Sequence, residues 1–177
     1  MKIDFGGGSR PKHGYSCCDV RALPTVRFVC NAWDIADHVE AGSVDEVYSR
    51  HFFEHLTFAQ GVLTLRAWRK ILKDGGKGQI IVPNMEWHCR QFLGNREEYS
   101  STREMAETGI YGWQRNTESG DSFVATDDLW DVHKSGYDFR SLSRVLKYCG
   151  FRDIVQSAGT VEDRSDDPKH LHVVFYK

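Results

Sequence analysis

Apolar and polar positions alternate along this chain in short blocks. Ile3 to Phe5 is a brief apolar start, interrupted by Gly6-Gly7-Gly8. Tyr15 to Val20 predicts a second strand, and Val26 to Cys30 a third of alternating character. Val44 to Ser49 predicts a fourth, introduced by the turn-forming Ala41-Gly42-Ser43. The period then changes. Val62, Leu65, Trp68, Ile71 and Leu72 recur at spacings of three and four, which is a helical stripe. Arg66, Arg69, Lys70 and Lys73 lie mostly off that stripe, and cations near a helix C-terminus suit its dipole. Asp74-Gly75-Gly76 is expected to end this helix, and Lys77 to Val82 predicts a fifth strand, stopped by Pro83-Asn84.

Further along, Ser141 to Tyr148 predicts a second helix, with Leu142, Val145 and Leu146 on one side and Gly150 closing it. Phe151 to Ser157 and Leu171 to Tyr176 predict two last strands, separated by the charged loop Glu162 to Lys169. Residues 85–136 differ from the rest. They are polar and weakly periodic, with Trp87, Tyr99, Tyr111, Trp113 and Trp130, and with helical character at Glu86 to Phe92 and Ser101 to Glu107. The order of elements predicts an α/β, doubly wound, mostly parallel Rossmann-like sheet whose last strand is antiparallel. Residues 1–177 read as a single domain, with 85–136 as an insertion or substrate lid over the C-terminal ends of the strands. Open α/β sheets bind their ligands there.

Bulk properties narrow the function. The chain has 177 residues, 40% hydrophobic and 27% charged, an ordinary soluble composition with enough length for one core. A net charge of -2 disfavours broad capture of nucleic acid, which needs a basic face to displace counterions. No apolar run approaches the roughly 20 residues of a membrane span. Met1-Lys2-Ile3-Asp4 runs straight into a strand-like segment, so no signal peptide is expected. The cysteines are Cys17, Cys18, Cys30, Cys89 and Cys149, an odd count without a C-x-x-C pair. Reduced thiols and a cytoplasmic location are expected, and Cys17-Cys18 reads as packing in a buried strand before it reads as a redox pair.

Five segments carry candidate chemistry. Gly6, Gly7 and Gly8 let a ligand approach the backbone where a strand ends, although a tight turn accounts for them equally well. They do not form G-x-G-x-x-G, so a nicotinamide fingerprint is not met. Asp19, at the end of the second strand, can accept both hydroxyls of a ribose; a solvated loop acid is the alternative. Asp34, in Asn31-Ala32-Trp33-Asp34-Ile35, can accept an adenine amino group while an apolar neighbour packs on the ring, or it caps a turn. In Ser49-Arg50-His51-Phe52-Phe53-Glu54-His55, polar groups gather where strand four leaves the sheet. His51 and His55 share a face if the segment is helical. The zincin pattern is not met, because the glutamate sits two places too late, and no metal is expected. Leu72 to Asn84 reads by itself as a helix end, a glycine turn and a buried strand.

Taken together, F-G-G-G-S-R-P, an acid ending the next strand, S-V-D-E-V-Y-S-R-H-F-F-E-H-L and I-L-K-D-G-G-K-G-Q-I-I-V-P-N resemble class I S-adenosylmethionine-dependent methyltransferases. More narrowly, they resemble small predicted bacterial methyltransferases associated with surface-polysaccharide genes. D-V-H-K-S-G-Y-D-F-R-S-L-S-R-V-L-K-Y-C-G-F resembles their C-terminal part, so the likeness spans Ile3 to about Ile154. The resemblance implies S-adenosylmethionine as cofactor. It places Gly6, Gly7 and Gly8 along the methionine part, Asp19 on the ribose, and Asp34 with Ile35 on the adenine. Ser49, Arg50 and His51 would sit beside the sulfonium. One departure is plain. Only Ser9 to Gly14 separates the glycines from the second strand, too short for a crossover of roughly 10–12 residues. The shortened first crossover removes the usual helix N-terminus at the anion site, and Arg10 is expected to compensate at the cofactor carboxylate.

The acceptor is expected to be a small molecule or saccharide, methylated on oxygen or nitrogen. There is no Asp/Asn-Pro-Pro-aromatic element and no Pro-Cys pair for nucleic-acid base chemistry. His51 is the first candidate general base and His133 the second, while His55 is expected to pack or orient. Two alternatives stay open: a cofactor-binding, non-catalytic regulatory or assembly protein, and another nucleotide-using α/β enzyme. The oligomeric state is left undetermined.

Overall fold

The computed structural model describes residues 1–94, 101–113, 131–161 and 165–177. Seven strands form one sheet: β1 (Lys2–Phe5), β2 (Ser16–Asp19), β3 (Val26–Val29), β4 (Val44–Arg50), β5 (Leu72–Pro83), β6 (Arg152–Gln156) and β7 (His170–Tyr176). Their spatial order is β3-β2-β1-β4-β5-β7-β6. The first five run parallel, and β7 is antiparallel to both β5 and β6. Among the described residues four α-helices accompany them: α1 (Phe58–Ile71), α2 (Met85–Gly94), α3 (Ser101–Tyr111) and α4 (Phe139–Tyr148).

Local chemistry sets the ends of α1. It begins at Thr57, whose hydroxyl accepts the Gln60 N–H while the Gln60 side chain accepts the Thr57 N–H. This reciprocal capping box starts the helix a turn before its apolar stripe. The helix also stops earlier than the sequence predicts. It ends at Ile71, and the chain passes directly into β5 through an extended Leu72. Asp74-Gly75-Gly76 forms an irregularity within the strand, where pairing jumps from Val44↔Leu72 to Glu46↔Lys77 and Gly75 takes φ +76°. Glycine suits such a bulge because positive φ costs it little.

Strand alternation divides the sheet into two unlike faces. Ile3, Phe5, Val47, Ile80, Val82, Leu171, Val173 and Phe175 point to one side, fully or almost fully buried. Leu65, Trp68 and Ile71 of α1 and Leu142, Val145 and Leu146 of α4 join the same core. Phe5 meets Trp68 with ring centroids 4.7 Å apart, and Phe151 meets Phe175 at 4.7 Å. The opposite face is mixed: Asp4, Glu46, Tyr48, Gln79 and His172 share it with the buried Cys17 and Ile81. Gln79 donates to Glu46 and pairs with His172 Nε2 at 3.0 Å, and His172 Nδ1 lies 3.3 Å from Ser165 Oγ. Here the segment between β1 and β2 does the covering that a crossover helix does elsewhere. Tyr15 packs on Tyr48 at 5.8 Å, Lys12 stands 4.4 Å over the Tyr48 ring, and the Lys12 N–H donates to Asp4 at 2.7 Å. α1 and α4 thus share one side of the sheet, and the connections β1–β2 and β2–β3 contain no helix.

Of residues 85–136, expected from the sequence to be an insertion, α2, α3 and residues 112, 113 and 131–136 are described, whereas Tyr99 and Trp130 lie outside the described residues. α2 and α3 pack closely because Gly109 has no Cβ; one placed there would meet the His88 ring at 2.1 Å. No helix among the described residues is long and apolar enough to cross a membrane.

Candidate active site

The sheet order reverses between β1 and β4, since β1 continues to β2 on one side while β4 continues to β5 on the other. Such a switch point leaves a crevice at the carboxyl ends of the strands. A cavity of about 460 Å³ opens there, lined by Gly6 after β1, Asp19 ending β2, Cys30 to Trp33 after β3 and His51 after β4. Its size falls within the range of small-molecule sites, roughly 300–1,000 Å³. Gly6 (φ +77°) also borders a second cavity with Gly7, Arg10, Lys12, His13 and Arg50, so this one residue separates the two spaces.

Asp19 is buried, with Arg21 across it. Arg21 Nε and Nη2 each donate to the Asp19 carboxylate at 3.0 Å, and the Arg21 backbone N–H adds a third bond at 3.0 Å. Burial pushes this carboxyl up, but the Arg21 hydrogen bonds outweigh it and hold the group below the ordinary carboxylate range. The Arg21 side chain is about half exposed and can leave toward solvent. Sequence reasoning passed over Arg21; an arginine two residues beyond the strand-end acid was the available signal.

A third, smaller cavity of about 200 Å³ adjoins the first and shares His51, His55 and Asp131 with it. Five of the eight histidines line it: His51, His55, His88, His133 and His170. His51 has φ +49°, uncommon for a residue with a Cβ, and its N–H donates to the Ile81 carbonyl at 2.9 Å. Its Nδ1 lies 3.2 Å from Glu54 Oε1, and its ring meets that of His170 edge-on at 4.9 Å. Glu54 is almost fully buried, and its second oxygen, Oε2, has no hydrogen-bond partner among the described residues. Burial pushes the imidazoles of His133 and His88 below their usual value, and that of His170 down to about 4. A neutral imidazole is the form that can accept a proton at pH 7.

Residues 131–135 are fastened to this site. The Glu54 carbonyl accepts the N–H groups of Lys134 at 2.9 Å and Ser135 at 3.1 Å, and the Tyr111 carbonyl accepts that of His133 at 3.1 Å. Two candidate bases 82 positions apart in the chain, His51 and His133, are thereby brought to one cavity.

Comparison with solved structures now adds to this geometry. The chain superposes on an S-adenosylmethionine-dependent methyltransferase from Archaeoglobus fulgidus with TM-score 0.58 and 14% identity, over 99% of this chain and 85% of that one. A second such methyltransferase, from Methanosarcina mazei, gives TM-score 0.57 and 14% identity over 99% and 91% of the two chains. A third is the 1,6-didemethyltoxoflavin N1-methyltransferase of Burkholderia thailandensis, solved with its substrate and S-adenosylhomocysteine. It gives TM-score 0.57 and 13% identity over 99% and 70%. The fold is that of S-adenosylmethionine-dependent methyltransferases. No protein-family model matches the sequence, nor does any curated protein.

Within this methyltransferase fold the sequence-predicted residues divide. Gly6, Asp19 and His51 border the large cavity, while Gly7, Arg10 and Arg50 border the second one across the glycine turn. Gly8 faces Arg21, whose Nη2 would lie 2.4 Å from a Cβ at that position. Asp34 lies behind the cavity wall and accepts from Asn31 Nδ2 at 2.8 Å. Ile35 does not reach the cavity: it is fully buried in the core at the start of a single 3-10 turn, and Trp33 takes the position facing the space. Ser49 does not reach it either. It pairs with Phe5 in register, so strand alternation turns it to the helix-covered face, fully buried with its hydroxyl unpaired. Cys17 and Cys18 are buried free thiols, both pushed up by burial, Cys17 to about 11, as packing residues are.

Proposed function

We propose that this chain binds S-adenosylmethionine across Gly6 and transfers its methyl group to a small-molecule or saccharide acceptor at oxygen or nitrogen. One observation carries the reading: the cavity at the switch point, walled by a bare glycine and a strand-end carboxylate, opens into a histidine-lined space through His51. The residues fit the cofactor. Asp19 accepts the ribose hydroxyls once Arg21 moves aside, and Trp33 and Ala32 offer apolar surface to the adenine. Arg10 and Arg50, across the glycine turn, offer cations to the carboxylate. Asp34 contributes indirectly by fixing Asn31, whose side chain it binds.

When bound, the cofactor supplies an electrophilic methyl group. The chain's part is to align an acceptor with it, and such orientation contributes roughly 7–11 kcal/mol to lowering a bimolecular barrier. His51 takes the acceptor's proton at Nε2, while Glu54 holds its Nδ1. His133, lining the same small space, is the second candidate base. The saccharide class follows the likeness to small polysaccharide-associated methyltransferases noted above.

A thermal-shift and calorimetric panel tests this reading. S-adenosylhomocysteine at 100 times its dissociation constant should stabilise the fold by about 2.7 kcal/mol. The absence of any shift with it, and with S-adenosylmethionine, would overturn the proposal. A second reading, cofactor binding without catalysis, is favoured by the missing helix after the glycine turn. It predicts a normal shift but no methyl transfer to any acceptor.

A further inference from the structure

Glu54, His55 and His133 each offer one ligand atom, and these atoms all lie within 4.8 Å of one another. Glu54 and His55 sit on the 3-10 turn Phe53–His55 after β4, and His133 comes from the returning end of the insertion. Two hydrogen bonds fix the histidine tautomers. His55 Nδ1 lies 3.2 Å from the Val132 carbonyl, and His133 Nδ1 lies 3.0 Å from the Gly109 carbonyl. A carbonyl only accepts, so each Nδ1 carries the proton and each Nε2 keeps its lone pair. Metal-binding histidines are held in this way, with the far ring N–H donated to a backbone carbonyl. Oε2 of the buried Glu54 is a third lone-pair donor, and no proton donor among the described residues meets it. A buried carboxylate oxygen left in that state calls for a ligand.

We propose that Glu54, His55 and His133 form a binding site for a divalent first-row transition-metal ion in the wall of the acceptor cavity. Two imidazoles and one carboxylate suit Zn²⁺ in an open site and Fe²⁺ equally. An ion at the centre of three such ligand atoms, spread by no more than 4.8 Å, needs them to close in by less than about 1 Å to reach Zn–N and Zn–O lengths of about 2.0–2.2 Å. Asp131, its Oδ1 3.9 Å from His55 Nε2, stands at the exposed edge, where a further ligand or the acceptor completes the coordination. The spacing H-F-F-E-H does not announce the site, because the second histidine comes from 78 positions beyond His55. The site stands on this geometry alone. That its open positions polarise an acceptor oxygen, lowering the pKa of that group, rests on the methyl-transfer reading.

The test uses the tag-free full chain, stripped with a chelator and titrated without cofactor. Calorimetry with Zn²⁺ should give one ion per chain. Co²⁺ should give visible d–d bands and two solvent-exchangeable, hyperfine-shifted ring N–H resonances, from Nδ1–H of His55 and His133. Glu54→Gln and His133→Ala, checked for folding by circular dichroism, should each weaken Zn²⁺ at least roughly tenfold, while the exposed-site control His38→Ala should not. No stoichiometric binding, unchanged affinity in both folded variants, or fewer than two shifted N–H signals would overturn the site; the signals decide if the variants do not fold. Because S-adenosylhomocysteine binding is measured separately, a metal without cofactor binding defeats the methyltransferase reading and spares the site, and the reverse result does the opposite.

Discussion

At the scale of single residues, Asp19 and Arg21 decide how the large cavity is used. The carboxylate is buried and accepts three bonds from one arginine, so a ribose must take over those acceptor positions rather than find them open. Hydrogen bonds to a charged group contribute roughly 1.5–3 kcal/mol each. Asp19→Ala should therefore weaken S-adenosylhomocysteine binding by about tenfold or more, read by calorimetry. An unchanged dissociation constant would remove Asp19 from the ribose. Phe52 works beside it: a Cβ on Gly6 would lie 2.5 Å from its ring, so the glycine is demanded by packing as well as by φ. The two histidines of the metal site also belong to this scale, since one ring hydrogen bond sets each.

At the scale of elements, α4 shows how a helix is fixed next to the site. Asp138 accepts the Ser141 N–H at 2.7 Å while the Asp138 N–H donates to Ser141 Oγ at 3.1 Å, and the preceding Tyr137 packs on Phe53 at 5.6 Å. The Ser141 hydrogen bonds hold the Asp138 carboxyl below its ordinary range. A carboxyl lowered by folding stabilises the fold above its unfolded pKa, and that stability is lost as pH falls through the folded pKa. Asp138→Ala should cost about 1 kcal/mol at neutral pH. In urea titrations the gap from the parent should narrow below pH ~4, the ordinary aspartate value. A gap independent of pH would mean the cap acts without its charge.

At the scale of the whole molecule, the sheet carries an apolar face under two helices and a mixed face on which the segment between β1 and β2 packs. Glu46, Gln79 and His172 link across β4, β5 and β7, and Gln79 serves both neighbours. Gln79→Leu leaves two buried polar groups short of a partner, so it should destabilise the fold by roughly 1–3 kcal/mol in urea unfolding. No loss would show that the linkage is replaceable.

Most of the fold was legible in the chain. The alternating block at Val26 and the period-3.6 stripe from Val62 to Ile71 specify their elements locally, because side-chain spacing and backbone geometry are the same physical fact. Gly6, Asp19 and His51 were legible for a similar reason: strand ends are marked in sequence, and strand ends make the crevice. The places of Ile35 and Ser49 were not. Burial of Ile35 depends on α1 packing over the 3-10 turn, and the direction of Ser49 depends on its register with Phe5. Nor does any local pattern join His133 to Glu54 and His55, or place Arg21 on Asp19. By itself, then, the sequence determined the strands, the helices and the glycine turn, which follow from neighbours a few residues apart. Only the tertiary structure decided which side chains share a cavity, because that depends on strand register and on hydrogen bonds such as Lys134 to Glu54, made between segments far apart in the chain.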